Sequence, residues 1–147
     1  MTYRVFTQEA TPCLPLPRLL AQARRYFALS VNVDSRSDGD DGGERVRFEL
    51  EPGAGARVSV RARTTKPDDL GAAARAETRG NAAGMASLAK RCPTLWEVEP
   101  DAGVDASTLH EFCALLASVA LGPVLPPDES TLYGVRGAME RAKAARK

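Results

Sequence analysis

The chain is poor in the side chains that most often carry chemistry: one histidine, one tryptophan and three cysteines in 147 residues. A single imidazole excludes a polyhistidine metal centre. His110 and Cys113 stand at His-x-x-Cys spacing, which shares one helical face. A tetrahedral site needs two more ligands, and no Cys-x-x-Cys or second histidine supplies them, so no metal is expected. Cys13, Cys92 and Cys113 are odd in number and far apart. Secreted disulfide frameworks use even sets, so these thiols are expected to be reduced and mostly buried. No run approaches the roughly 18 apolar residues of a membrane span. The N-terminus lacks the charged start and apolar stretch of a secretory signal, and a cytoplasmic location is expected.

Other absences narrow the reading further. No Gly-x-Ser-x-Gly turn is present. The glycines of Gly80-Asn81-Ala82-Ala83-Gly84 match neither a P-loop nor a dinucleotide fingerprint, so no cofactor is expected and their small size is read as room for close helix packing. The acidic stretch with Asp34, Asp38, Asp40, Asp41 and Glu44 fails calcium-loop spacing and reads as an exposed connection. The net charge is +1, from 20 basic and 19 acidic residues. That balance exerts no bulk pull on nucleic acid or lipid.

What is present is an ordinary globular composition, 44% hydrophobic and 27% charged, sized for one domain. A short strand is expected over 3–8, with Tyr3 and Val5 on one face. A helix over 16–27 carries Leu16, Leu19, Leu20, Ala23 and Phe27 on one stripe. Period-two alternation follows: Leu29, Val31 and Val33; then Val46, Phe48 and Leu50; then Ala56, Val58, Val60 and Ala62. Opposed residues must share a face, so the turn over 51–55 should set Leu50 opposite Ala56 and Glu49 opposite Arg57. Residues 67–91 read as helix, kinked or split at Gly80–Gly84, with Leu70, Ala74, Met85 and Leu88 toward the core. Thr94–Val98 reads as a strand with Trp96 inward. A strongly apolar helix follows, with Leu109, Phe112, Cys113, Leu116, Val119 and Ala120 on its stripe; Asp105, Ser107 and Thr108 compete to cap it, Thr108 with Glu111 in a capping box.

This order predicts an α+β two-layer sandwich, a mostly antiparallel sheet of about five strands with three or four helices packed on one face. Residues 1–127 form the domain, and 128–147 a basic tail, as a frayed helix.

The functional expectation rests on arginine. Arg45, Arg47, Arg57, Arg61 and Arg63 should project from the outward face of two paired strands, and Arg136 and Arg141 lie in the tail. With no recognisable catalytic set, these residues point to a non-catalytic protein-binding domain of a bacterial immunity, inhibitor or scaffold type, its partner an acidic protein surface. The alternatives are a small enzyme using His110 with Glu97 or Glu111, and nucleic-acid binding through the arginines. The latter is weakened because single-strand binders pair charge with stacking aromatics, and Phe48 points inward.

Overall fold

In a computed structural model, residues 1–27, 29–38, 43–51 and 56–146 are described. Asp40, Asp41 and the turn residues Pro52, Gly53 and Gly55 lie outside them. Six strands form one antiparallel sheet in the order β2-β3-β4-β5-β1-β6. They are β1 (Tyr3–Thr7), β2 (Ser30–Asp38), β3 (Glu44–Glu51), β4 (Ala56–Thr64), β5 (Thr94–Pro100) and β6 (Val124–Leu125). The five helices are α1 (Leu16–Tyr26), α2 (Pro67–Gly80), α3 (Met85–Lys90), α4 (Ala106–Ala120) and α5 (Val135–Ala145). The α+β sandwich is thus as expected, but with a sixth strand and a fifth helix. Its helices do not all share one face, because Phe6, Leu95 and Leu125 give the sheet's second face an apolar patch that α2 and α3 cover.

The alternating residues decide which face is buried. Val46, Phe48, Leu50, Val58, Val60, Ala62, Trp96 and Val98 form one core with Leu19 and Ala23 of α1, with nearly all of α4, and with Ala138 of α5. The pairing sets Leu50 against Ala56 and Glu49 against Arg57, the register that parity demanded. Helix α4 is buried almost all round because the sheet, α1 and α5 surround it. Asp105 caps it, accepting from the Thr108 N–H at 3.3 Å. Thr108 therefore lies inside the helix, and the Thr108–Glu111 capping box does not form; an aspartate one turn earlier reaches the same free N–H groups.

The second face is only half covered. Phe6, Leu95 and Leu125 project there and pack beneath Ala72, Ala73 and Ala76 of α2 and Ala89 of α3. The helical stretch splits at Asn81, which adopts a left-handed conformation (φ 51°). The buried stripe of α2 is alanine, whereas Leu70 is half-buried and Ala74 exposed. Small side chains bring the helix close to the sheet, and the leucine lies to one side.

Two local features depart from the sequence reading. Strand β2 continues to Asp38, through what reads as a connection. Val33 opposes Phe48 and Ser35 opposes Arg47, which leaves Asp34 as the extra residue of a β-bulge. The bulge switches parity, so Ser35 and Ser37 join the arginine face. Residues 128–145 are not a separate tail: Ala138 and Ala142, one turn apart, are buried against α4, and Arg146 bonds Glu111 at 2.8 Å. The cations of this segment mask its small-residue stripe.

Candidate functional site

The half of the second face that α2 and α3 leave open lies over β2, β3, β4 and part of β5. Pairing arranges its side chains in rows. One row runs Ser37, Arg45, Arg61, Glu97 and Arg4 across five strands. The next runs Ser35, Arg47, Ser59 and Glu99. All of these side chains except Arg4 line an open depression of about 500 Å³, with Thr2 also in its lining.

The five sheet arginines share this face, but they do not make a uniform basic plate. Arg47 pairs with Asp101 and lies 3.7 Å from Asp34. Arg57 meets Asp34 at 3.5 Å and Glu49 at 3.8 Å. Arg61 is 3.9 Å from Glu97. Arg63 lies under the start of α2, bonded to Asp69 and to Glu97 at 3.1 Å. Glu49 comes from β3 itself, as its pairing with Arg57 predicts. The other acids come from the bulge, from β5 and from the segments after β4 and β5, so alternation within β3 and β4 could not reveal them. Arg45 differs from the other four. It is exposed, it opposes Arg61 directly, and among the described residues it forms no ion pair. Like charges directly opposed across strands destabilise a sheet, and on its other side Arg45 opposes the hydroxyl-bearing Ser37.

Arg136 and Arg141 belong to α5, in the helical layer on the far side of the sheet. Arg136 pairs with Glu140 at 3.5 Å. Arg141 stacks 3.9 Å above the Tyr133 ring and donates to the Gly137 carbonyl at 3.1 Å. The structure therefore does not bring the two arginine groups into one surface.

The residues considered for catalysis are not assembled. Cys113 is wholly buried, and burial pushes its thiol up to about 12, so it remains a neutral thiol at pH 7. His110 stands edge-on to Tyr3, ring centroids 6.1 Å apart; burial, then the Arg141 charge, lowers its pKa. Glu111 is engaged by Arg146, and Glu97 is on the opposite face of the sheet. Among the described residues no group of three or more His, Cys, Asp or Glu is placed to hold a metal. Likewise no helix among them is long and apolar enough to cross a membrane.

Sequence reasoning missed a second surface. Tyr26, at the end of α1, and Leu121, just past α4, are 67% and 63% exposed. Together with Arg18, Ala21, Gln22, Arg25, Ser118 and Val119 they border a groove of about 260 Å³.

Comparison with protein-family models, with curated proteins and with solved structures gives no match.

Proposed function

We propose that the chain is a non-catalytic protein-binding domain, of the inhibitor, immunity or scaffold kind, whose open sheet face receives an acidic segment of a partner protein. The three thiols are free, which suits a reducing compartment, and we place the domain in the cytoplasm. The observation that carries the reading is Arg45. It is an exposed guanidinium set against a second arginine on the half of the face that α2 and α3 leave open. A carboxylate laid across Arg45 and toward Ser37 would relieve that opposition and gain charge-assisted hydrogen bonds. The surrounding lattice of paired charges supplies register more than affinity, since exposed ion pairs are individually weak. The open face has no aromatic side chain among its described residues, which favours a protein partner over single-stranded nucleic acid.

The test is capture of the intact chain's partner from source cells, followed by calorimetric titration of the purified pair. The reading expects Arg45→Glu to weaken binding by about tenfold or more, with affinity falling as salt rises. A partner that binds the Arg45→Glu chain as tightly as the wild type would overturn it.

A further inference from the structure

The groove between the C-terminal ends of α1 and α4 lies on the opposite side of the sheet from the arginine face, and its geometry contains a contradiction. Leu121 ends α4 with φ 57° and ψ 38°, a left-handed conformation that side chains with a Cβ adopt at a cost and that glycine adopts freely. Helices commonly end on glycine at such a position. This chain has glycine one residue later, where it is needed for a different reason: a Cβ on Gly122 would collide with the Phe6 carbonyl.

Nothing lets Leu121 relax. Its N–H donates to the Ala117 carbonyl at 3.0 Å, and its own carbonyl accepts from Gln8 Nε2 at 2.8 Å. The strained backbone is therefore held in place, and it presents an isobutyl group to solvent. Burial inside the fold does not offset the strain, because the side chain is mostly exposed. Strain of this kind is retained where the side chain has work outside its own fold.

The surroundings indicate the kind of work. Beside Leu121 stands the exposed Tyr26 ring, with the Arg25 guanidinium 5.7 Å from its centroid. Val119 and Ala21 line the groove, and its charged lining is Arg18 and Arg25, with no carboxylate. Helix α1 contains no acidic residue, and Arg24 and Arg25 fill its last turn. Glu9 engages Arg18 at the edge. An apolar floor with a cationic rim complements a segment that is apolar on one side and acidic beside it. A second copy of this chain would bring Arg18 and Arg25 against themselves.

We propose that this groove docks an acidic amphipathic helix of a partner protein. Its apolar residues would lie against Leu121, Val119 and Tyr26 and its carboxylates on Arg25. This is helix-in-groove recognition, and it does not depend on the reading of the sheet face.

The probe is a fluorescent helical peptide of about 16 residues, with leucines at i, i+4 and i+7 flanked by glutamates. A control peptide has lysine in place of glutamate. Fluorescence anisotropy should show the acidic peptide binding the intact chain and the basic one not. Amide shift mapping should place it at 18–26 and 117–121. Leu121→Asn removes the side chain while tolerating the left-handed backbone. It should leave the thermal midpoint unchanged or higher yet weaken the peptide about tenfold, and Arg25→Glu should weaken it similarly. Arg45→Glu should have no effect, so failure of the sheet-face reading is separable. The proposal is overturned if both peptides bind alike or neither binds at about millimolar concentration. It is overturned if Leu121→Asn binds as well as wild type, or melts more than about 3 °C lower, since Leu121 would then serve its own fold. A wild-type dimer that Leu121→Asn dissolves would put a second copy in the groove and overturn it too.

Discussion

Arg63 and Asp69 meet as a two-pronged pair, Nη1 to Oδ2 at 2.7 Å and Nη2 to Oδ1 at 2.8 Å, where the first turn of α2 crosses the end of β4. The same carboxylate accepts from the Lys66 N–H at 2.8 Å and lies 3.4 Å from Arg4. Its side chain is only 4% exposed. One aspartate thus ties the helix start to β4 and, through Arg4, to β1. Without the carboxylate, Arg63 keeps only Glu97 as a charged partner and the charge-assisted bonds to Asp69 are lost, so Asp69→Asn should cost about 1.5–3 kcal/mol in chemical denaturation. Burial raises the Asp69 pKa, but the Arg63 hydrogen bonds, the Lys66 N–H and the Arg63 and Arg4 charges outweigh it, and the carboxyl is held below its ordinary value. A depressed carboxylate contributes stability above its unfolded pKa and loses it as pH falls through the folded one. Acid unfolding of wild type should therefore include a loss below about pH 4 that Asp69→Asn does not show. Equal acid limbs in the two proteins would exclude this role.

His110 titrates in a different window, and there too protonation costs the folded state, because its pKa is lowered. Its Nδ1 is buried without a hydrogen-bond partner, its ring meets Tyr3, and the charge facing it is Arg141. Burial and that cation both favour the neutral ring. The unfolded chain takes up a proton first, so stability should fall as pH drops below about 6.5 toward the lower folded pKa. For one proton the slope cannot exceed about 1.4 kcal/mol per pH unit. Urea midpoints between pH 5 and 8 should show this slope in wild type, and His110→Gln should flatten it.

Much of the sheet was legible because two-residue alternation and parity are local rules. Leu50 opposite Ala56 follows from them without reference to the rest of the chain. The bulge at Asp34 was not legible. One extra residue in a polar strand leaves the composition unchanged, yet it turns Ser35 and Ser37 onto the arginine face. The carboxylates that neutralise most of that face were hidden for a related reason: Asp34, Glu97 and Asp101 arrive from distant segments, and single-strand patterns do not record who sits opposite whom. The stripes of α2 and α5 are alanine, which scores weakly as hydrophobic although Ala73, Ala76, Ala138 and Ala142 are fully buried. Leu121 stood out only once its backbone angles were known.

Two glycines should respond to alanine in opposite directions. Gly71 lies inside α2, where an added Cβ would meet only Arg75 Nη1 at 3.5 Å, an ordinary contact. Gly71→Ala should stabilise the chain by about 0.5–1 kcal/mol through helix propensity. At Gly122 the added carbon would overlap the Phe6 carbonyl, and the Phe6 N–H is itself bonded to the Pro123 carbonyl at 3.0 Å. Backbone on both sides cannot yield as a side chain would, so Gly122→Ala should cost about 3 kcal/mol, the upper end for overpacking. Thermal midpoints moving the same way for both variants would contradict this assignment.

Trp96 offers a direct report on the core, because it is the sole tryptophan and is fully buried. Its emission should be blue-shifted in the native chain and shift red in one step on unfolding if α1, α4 and the sheet melt together. Its Nε1 donates to the Cys13 carbonyl at 2.9 Å, which fastens the proline-rich connection between β1 and α1 onto the core. Phenylalanine keeps most of the apolar contact but leaves that carbonyl without its donor and a void where the indole's second ring lay. Trp96→Phe should therefore cost about 2–4 kcal/mol. It should also raise amide exchange in the Cys13 region before the rest of the sheet is affected. Exchange that rises uniformly across the sheet, with residues 9–15 no more affected than β3, would show that the indole bond does not hold this connection.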